Sequence, residues 1–519
     1  MGLHKSDITP SKSVSSIFFG FAIVLAAMVA GCGGVVGPLT SLTPPATVQN
    51  LTAADVTGLV QAAAQAADPN TMVIAVVDRA GNVLGVYRKP SAPTLATGNF
   101  SAQVDINELA VSLARTGAFF SNDQAPLSSR TVRFISGIHF PPGIANTSNA
   151  PLYGIENTNR GCTLSTNFSA GKSVPPARSI SGAATGLGIA TGKADVNDSD
   201  PNSVNPGGVP LFRNGSLIGG IGVAGVAPDV AEYAAYAAAT SNGFGVAPAA
   251  PGVVFIGGVA LPFVNQKTPP AGVSAGSFTG SFFVGPSASS GTPPEGMLVA
   301  PVAGPLGGLT ASDVTQIINN AIATANTTRA VIRLPIGSSA RMAIAIADLD
   351  GTIIGFYRMA DSTVFSIDVA ASKARNMVYF NSAARSSADL TGVPMGTAIS
   401  NRTIGFGAQP FFPPGIDGSS LGPFFNLYLQ DVANPCTQGF QVAGPNQSGV
   451  VFFPGSVPLY RNGVLVGGLG ISGDGVDQDD FVASGGSVGF EAPAAIRADQ
   501  IVLQGVRLPY LKFPSNPTN

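Results

Sequence analysis

Apolar residues fall at Val56, Leu59, Val60, Ala63 and Ala67. That spacing of three and four predicts an amphipathic helix. Thr52 and Asp55 stand at its start as a Thr-x-x-acid capping signal. The period then changes. Met72 to Val77 is a β-rich apolar run, Gly81 marks a turn and Val83 to Tyr87 is a second run, which together predict a hairpin. Ile106, Leu109, Ala110, Leu113 and Gly117 return to helical spacing over about 106–120. Pro210 to Val223 reads as another hairpin around Asn214-Gly215, a strong type I′ turn signal. Ala-rich sequence after Asp229, as far as Ala239, reads as a short helix.

The whole succession then occurs again. Leu309-Thr310-Ala311-Ser312-Asp313 answers Leu51-Thr52-Ala53-Ala54-Asp55, and Val314, Ile317, Ile318, Ala321 and Ala325 repeat the helical stripe. Met342 to Ala347, Gly351 and Ile353 to Tyr357 repeat the hairpin, and a second helix runs over about 367–380. Phe412-Pro413-Pro414-Gly415-Ile416 answers Phe140-Pro141-Pro142-Gly143-Ile144, Cys436 answers Cys162, and Val457-Pro458-Leu459-Tyr460-Arg461-Asn462-Gly463 answers Val209-Pro210-Leu211-Phe212-Arg213-Asn214-Gly215. Leu508-Pro509-Tyr510 answers Leu261-Pro262-Phe263. Preserved order marks a tandem of two long units, each long enough for its own core. Each unit reads α-β-β-α-β-β-(α), an α+β plan with an antiparallel sheet. The units are placed at 51–267 and 309–513. A polar Gly/Ser/Asn-rich insertion occupies 163–208 of the first, and 268–308 reads as a Pro/Ser/Gly-rich linker.

Residues 1–31 carry an address rather than a fold. Lys5 and Lys12 form a positive region and Ile17 to Val29 an apolar run too short to span a bilayer. The run ends in Val29-Ala30-Gly31-Cys32, which resembles the bacterial lipobox. Lipidation at Cys32 is expected, with 32–50 as a tether; the alternatives are an ordinary signal peptide or an uncleaved anchor. The body would then lie outside the cytoplasm, lipid-anchored to the bacterial cell envelope, in the periplasm and on the outer membrane if the cell is Gram-negative.

Composition narrows the chemistry. Of 519 residues, 65 are Gly and 41 Pro, yet 45% are hydrophobic, which excludes a disordered polymer. The formal charge is −2 and no basic stripe appears, so no nucleic-acid partner is expected. Only two His occur, and His139 alone lies outside the leader. No nucleophile–base pair, carboxylate pair or metal cluster can be assembled, so no enzyme is expected. Gly220-Ile221-Gly222-Val223-Ala224-Gly225 and Gly468-Leu469-Gly470-Ile471-Ser472-Gly473 match G-x-G-x-x-G. Both close an antiparallel hairpin late in their unit, so close packing is preferred to a dinucleotide site. Gly272-Val273-Ser274-Ala275-Gly276 imitates a nucleophile elbow but has no preceding strand and no later His. Asp195 to Asp200 gathers oxygen ligands without an EF-hand's glycine and glutamate, and reads as a solvated loop rather than a calcium site.

The opening helix, the strand–turn–strand ending in Tyr-Arg, the second helix and the closing Asn-Gly hairpin with Gly-Gly-x-Gly resemble the GlcG/HbpS family of haem-binding-like domains. The motifs that carry the resemblance are Ala75-Val76-Val77-Asp78…Gly81…Arg88 and Pro458…Gly463…Gly467-Gly468-Leu469-Gly470. Residues 51–240 and 309–485 each look like one such domain. The second helix carries Lys373-Ala374, as the family does, where the first unit has Leu113-Ala114. The resemblance implies two profilin-like α/β/α sandwich domains, paired as a pseudo-two-fold tandem within a monomer. It also implies haem, or another flat apolar small ligand, as the molecule bound. The rival reading is a structural or protein-interaction module that has lost its ligand site.

On the haem reading, His139 is the candidate axial ligand, with Phe134, Phe140 and Phe212 as pocket walls; the alternative is a hydrogen-bonded loop histidine. Tyr87 and Tyr357, at matched strand ends, are candidate oxygen ligands or sheet-rim packing residues. Cys162 and Cys436, at equivalent positions, are candidates for a disulfide or two separate thiols.

Overall fold

The computed structural model describes residues 50–101, 103–157, 205–245, 254–289, 291–434, 437–442, 444 and 446–513. The leader, Cys32, the Asp195–Asp200 loop, Cys162 and Cys436 lie outside these residues, as does most of the 163–208 insertion.

The first half runs α1 (Ala53–Ala66), β1 (Val73–Asp78), β2 (Val83–Arg88), α2 (Ile106–Phe120), α3 (Ser129–Phe134), β3 (Gly208–Arg213), β4 (Ser216–Ala224) and α4 (Pro228–Ala239). Two edge strands follow, β5 (Ser281–Val284) and β6 (Gly296–Val299). The second half repeats the order with α5 (Ala311–Thr327), β7 (Met342–Ala347), β8 (Ile353–Arg358), α6 (Ser366–Asn381), α7 (Asn401–Gly407), α8 (Phe425–Ala433), β9 (Ser456–Arg461), β10 (Val464–Gly473) and α9 (Val476–Gly486).

The local reasons match the sequence. Thr52 and Asp55, like Thr310 and Asp313, close full capping boxes on α1 and α5. Asn214 and Gly215, and Asn462 and Gly463, all take positive φ, as a type I′ turn requires. The two sheets are antiparallel and share one plan, β3-β4-β1-β2-β5 and β6-β8-β7-β10-β9. Register repeats too: Val76 faces Ile221 and Gly85, while Ile346 faces Leu469 and Gly355. Both matches to G-x-G-x-x-G are packing devices. A Cβ at Gly222 would stand 2.0 Å from the Ala110 carbonyl oxygen, and one at Gly470 would stand 2.1 Å from that of Ala370. Only glycine lets β4 and β10 lie this close to α2 and α6.

Two expectations are corrected. Residues 268–308 are more than a linker: β5 pairs with β2 and β6 pairs with β8, so the segment completes the edge of both sheets. The halves also do not keep separate cores. Leu59, Ile74, Val76 and Ile221 pack under α1 and α4 in a core private to the first half. On the opposite face, Val73, Ala75 and Leu109 join Ala343, Ala345 and Ala370 in one continuous cluster. Phe120 stacks on Phe365 at 4.2 Å across that seam, and Val364 N–H donates to the Phe119 carbonyl. Alternating strands expose both faces to apolar cover, so a sheet of this type needs a layer on each side. Here each half lends the other part of that layer, and Val48–Asn519 is one compact unit.

Candidate functional site

The three residues singled out as iron ligands do not converge. His139 follows α3 and is 7% exposed. Its Nε2 lies 2.7 Å from Asp417 Oδ1, in the equivalent loop of the second half, and its ring stacks on Phe411. This bond holds the Asp417 carboxyl below its ordinary pKa. Tyr87 is buried in the private first-half core, its ring stacked on Phe278 and edge-on to Phe282. Burial raises its pKa, and its hydroxyl has no hydrogen-bond partner among the described residues. Tyr357 sits in β8 opposite Ile344 and Met297, half-buried against the second-half core. Two of the three are therefore packing residues, and His139 ties two loops together.

A roomier space lies elsewhere. A cavity of about 820 Å³ opens at the seam between the halves. Phe120, Phe140 and Phe255 wall it from the first half, and Phe365, Phe406 and Phe453 from the second. Of the three predicted wall residues, Phe140 alone lines it. Phe134 meets Phe140 edge-on behind the wall, and Phe212 is buried against Leu217. None of the described residues lining the cavity is His, Tyr, Cys or Met. Among the described residues, no group of three or more His, Cys, Asp or Glu side chains could hold a metal ion.

Ser148 and Asn149 are polar lining residues from the first half; the second half adds Arg402, Ser472, Lys512, the start of α9 and part of residues 328–341, a stretch for which the first half has only residues 67–72. Asp479 on α9 is bonded to Lys373 Nζ at 3.0 Å, and that ammonium also donates to the Ile471 carbonyl and lies over the Phe453 ring. Burial pushes the Asp479 carboxyl up to about 7, against the pull of Lys373, and pushes Lys373 down. Arg402 bonds Asp480 and Asp477, and Arg333 bonds Asp474 and Asp361. Sequence reasoning noted Lys373 against Leu113 but not its partner. Counted from the matched Pro210 and Pro458, Asp479 answers Ala231 and Gln478 answers Val230. The polar group at this position in the second half replaces an apolar one in the first.

Fold and site together define a duplicated antiparallel α/β/α sandwich with an aromatic cavity at its seam. Residues 309–487 match the family described as haem degrading protein HbpS-like, and the second half is a domain of that GlcG/HbpS-like kind. The chain is 44% identical over 55 residues to the corrinoid adenosyltransferase PduO of Salmonella typhimurium, 11% of this chain and 16% of that protein. The chain thus spans about a sixth of the length of that relative. Among solved structures, the Klebsiella pneumoniae protein ORFY is 18% identical with a TM-score of 0.23, covering 34% of this chain and 88% of that one. A PduOC:heme complex is 23% identical with a TM-score of 0.21, covering 35% and 94%.

Proposed function

We propose that the protein is a non-catalytic binder of haem or a similar flat apolar ligand, held in the seam cavity. The observation that carries this reading is the 820 Å³ space walled by six phenylalanines from both halves. Small-molecule sites commonly measure about 300–1,000 Å³ and are mostly apolar with few polar groups. The family description of residues 309–487 names haem, which supports the choice of ligand. On this reading the first half is a second domain of the same kind, and the chain acts as a monomer because the shared core already covers the pairing faces.

The lining fits a porphyrin's faces better than its iron. Phenylalanine rings suit a flat aromatic macrocycle. No imidazole, thiolate, thioether or phenol lines the cavity among the described residues, so the ring is held and the iron is not ligated by such a group. Titration with haemin and with iron-free protoporphyrin IX tests this. Saturable binding of one molecule per chain is expected for both, with similar affinity. Val331→Trp, which fills the cavity, should abolish both. No saturable change in the porphyrin absorbance of the wild type refutes the reading and leaves the structural or interaction module standing.

The cellular setting is part of the same proposal: an extracytoplasmic body tethered through lipidated Cys32. Among the described residues no helix is long and apolar enough to cross a membrane. Mass spectrometry of the membrane fraction should find a diacylated N-terminal Cys32, and a mature N-terminus anywhere else refutes the tether.

A further inference from the structure

The cavity is walled by both halves, yet the charged residues lining it all belong to the second: Arg329, Arg333, Arg402, Asp477, Asp479 and Lys512. Most of these charges are already matched. Arg333 holds Asp474 and Asp361, Arg402 holds Asp480 and Asp477, Lys512 reaches Asp477 at 3.3 Å, and Lys373 neutralises Asp479. Arg329 is the exception. Its Nε is buried without a hydrogen-bond partner, and its guanidinium has no carboxylate among the described residues.

A second unsatisfied group lines the same cavity. Gln478 lines the cavity and is 3% exposed. Its Oε1 is buried without a partner, while its Nε2 is not among the buried unpaired atoms. A buried amide oxygen left unbonded costs free energy that its position must otherwise justify. In the first half the same position is Val230, which fills its space with no polar atom. The two groups share one wall. Val331 N–H donates to the Asp474 carbonyl at 2.8 Å, so residues 329–333 run alongside the start of α9. A Cβ at Gly475 would lie 2.3 Å from Gln478 Oε1 and 3.2 Å from Val331 Cβ, which places the amide against this segment.

From this placement we infer that the cavity's ligand is an apolar carboxylate, whose acid group is received by the Arg329 guanidinium and the Gln478 amide N–H. Both groups offer donors, and a carboxylate oxygen accepts from both. A guanidinium suits it better than an ammonium because two of its N–H groups can meet the two oxygens together. The phenylalanine walls take the apolar body. The inference rests on the proposed function and adds the chemistry that distinguishes the ligand from any flat hydrocarbon.

Fluorescence titration of the purified full chain with protoporphyrin IX and with its dimethyl ester tests it. The two probes share a ring and differ in their acid groups. The wild type should bind the free acid roughly tenfold or more tightly than the ester, as expected for a hydrogen bond to a charged group. Arg329→Met should remove most of that preference by weakening the acid and leaving the ester unchanged. Gln478→Leu, which copies the apolar character of Val230, should do the same to a smaller degree and stay folded by circular dichroism. Equal affinity for acid and ester in the wild type overturns acid recognition while leaving the cavity as a binding site. So does a loss that falls equally on both probes in either variant. Binding of neither probe by the wild type overturns the proposed function, and this inference with it.

Discussion

The Lys373–Asp479 pair offers a sharp test, because the first half shows what an apolar replacement looks like. Both side chains are nearly inaccessible, at 0% and 2%. Asp479→Ala leaves the ammonium facing only the Ile471 carbonyl and the Phe453 ring. Breaking a buried pair from one side costs about 3–5 kcal/mol. Lys373→Leu leaves the carboxyl alone, and the carboxyl has an escape. Burial already lifts it from 3.8 to about 7. At about 1.4 kcal/mol per pKa unit, that rise is on the order of 4 kcal/mol of penalty on the charged form, and the penalty is avoided by taking up a proton. Lys373→Leu should therefore cost several kcal/mol above pH 8 and much less near pH 5.

The double variant Lys373→Leu/Asp479→Ala installs the Leu113 and Ala231 of the first half. Replacing a buried ion pair by packed apolar groups is commonly neutral or stabilising by about 1–4 kcal/mol. Urea denaturation of the four proteins at pH 8 closes the cycle. Both single variants should unfold well before the wild type and the double variant should return to it or beyond. Single effects under about 1 kcal/mol that simply add would refute the argument, since exposed or uncoupled charges behave that way.

Further outcomes follow from packing and charge. Gly222→Val should lower the melting temperature sharply, on the order of 3 kcal/mol or more, because its Cβ would overlap the Ala110 carbonyl; a variant as stable as wild type contradicts the β4–α2 approach. His139→Ala should leave haemin affinity unchanged in an absorbance titration, because the residue does not line the cavity; a large loss of affinity contradicts the assignment of the site. Asp368 is fully buried and its carboxyl is pushed up to about 7 by burial, opposed by Arg375. Its folded pKa exceeds its unfolded value, so the folded state binds the extra proton between about pH 4 and 7. Its contribution is therefore present in acid and lost as pH rises through 7. Asp368→Asn should flatten the fall of the urea midpoint between about pH 4 and 7, and an unchanged slope removes Asp368 as its source.

Local signals were legible in the sequence because they are local. The Thr52 and Thr310 capping boxes and the Asn-Gly turns follow from residues close in the chain. Even the short α3 and α7 had a signal that was missed, since Ser128 with Thr131 and Ser400 with Thr403 close capping boxes of their own. The edge strands did not. Ser281–Val284 and Gly296–Val299 are four-residue pieces in Gly/Pro-rich sequence, and only the partner strand makes them strands. The cavity was illegible for the same reason. Its walls come from residues as far apart as Phe120 and Phe453. His139 drew notice by being rare, and rarity says nothing of which group a side chain will meet; it meets Asp417.

Duplication within one chain has a consequence that two separate copies could not share. In a symmetric pair, a polar substitution at the seam appears twice and must be satisfied twice. Here the halves contribute one layer each to a common core, so their sequences are free to differ across it. The first half keeps Leu113, Val230 and Ala231, which need no hydrogen bonds. The second carries Lys373, Gln478 and Asp479, together with the longer 328–341 segment and its Arg329. Apolar packing on one side supplies the stability that buried polar groups on the other side do not. One cavity whose charged lining comes from one half can then read a ligand with one polar end. Grafting the polar set into the first half, as Leu113→Lys with Ala231→Asp, would bury a second ion pair with no cavity group to serve, and should cost stability without adding a binding site.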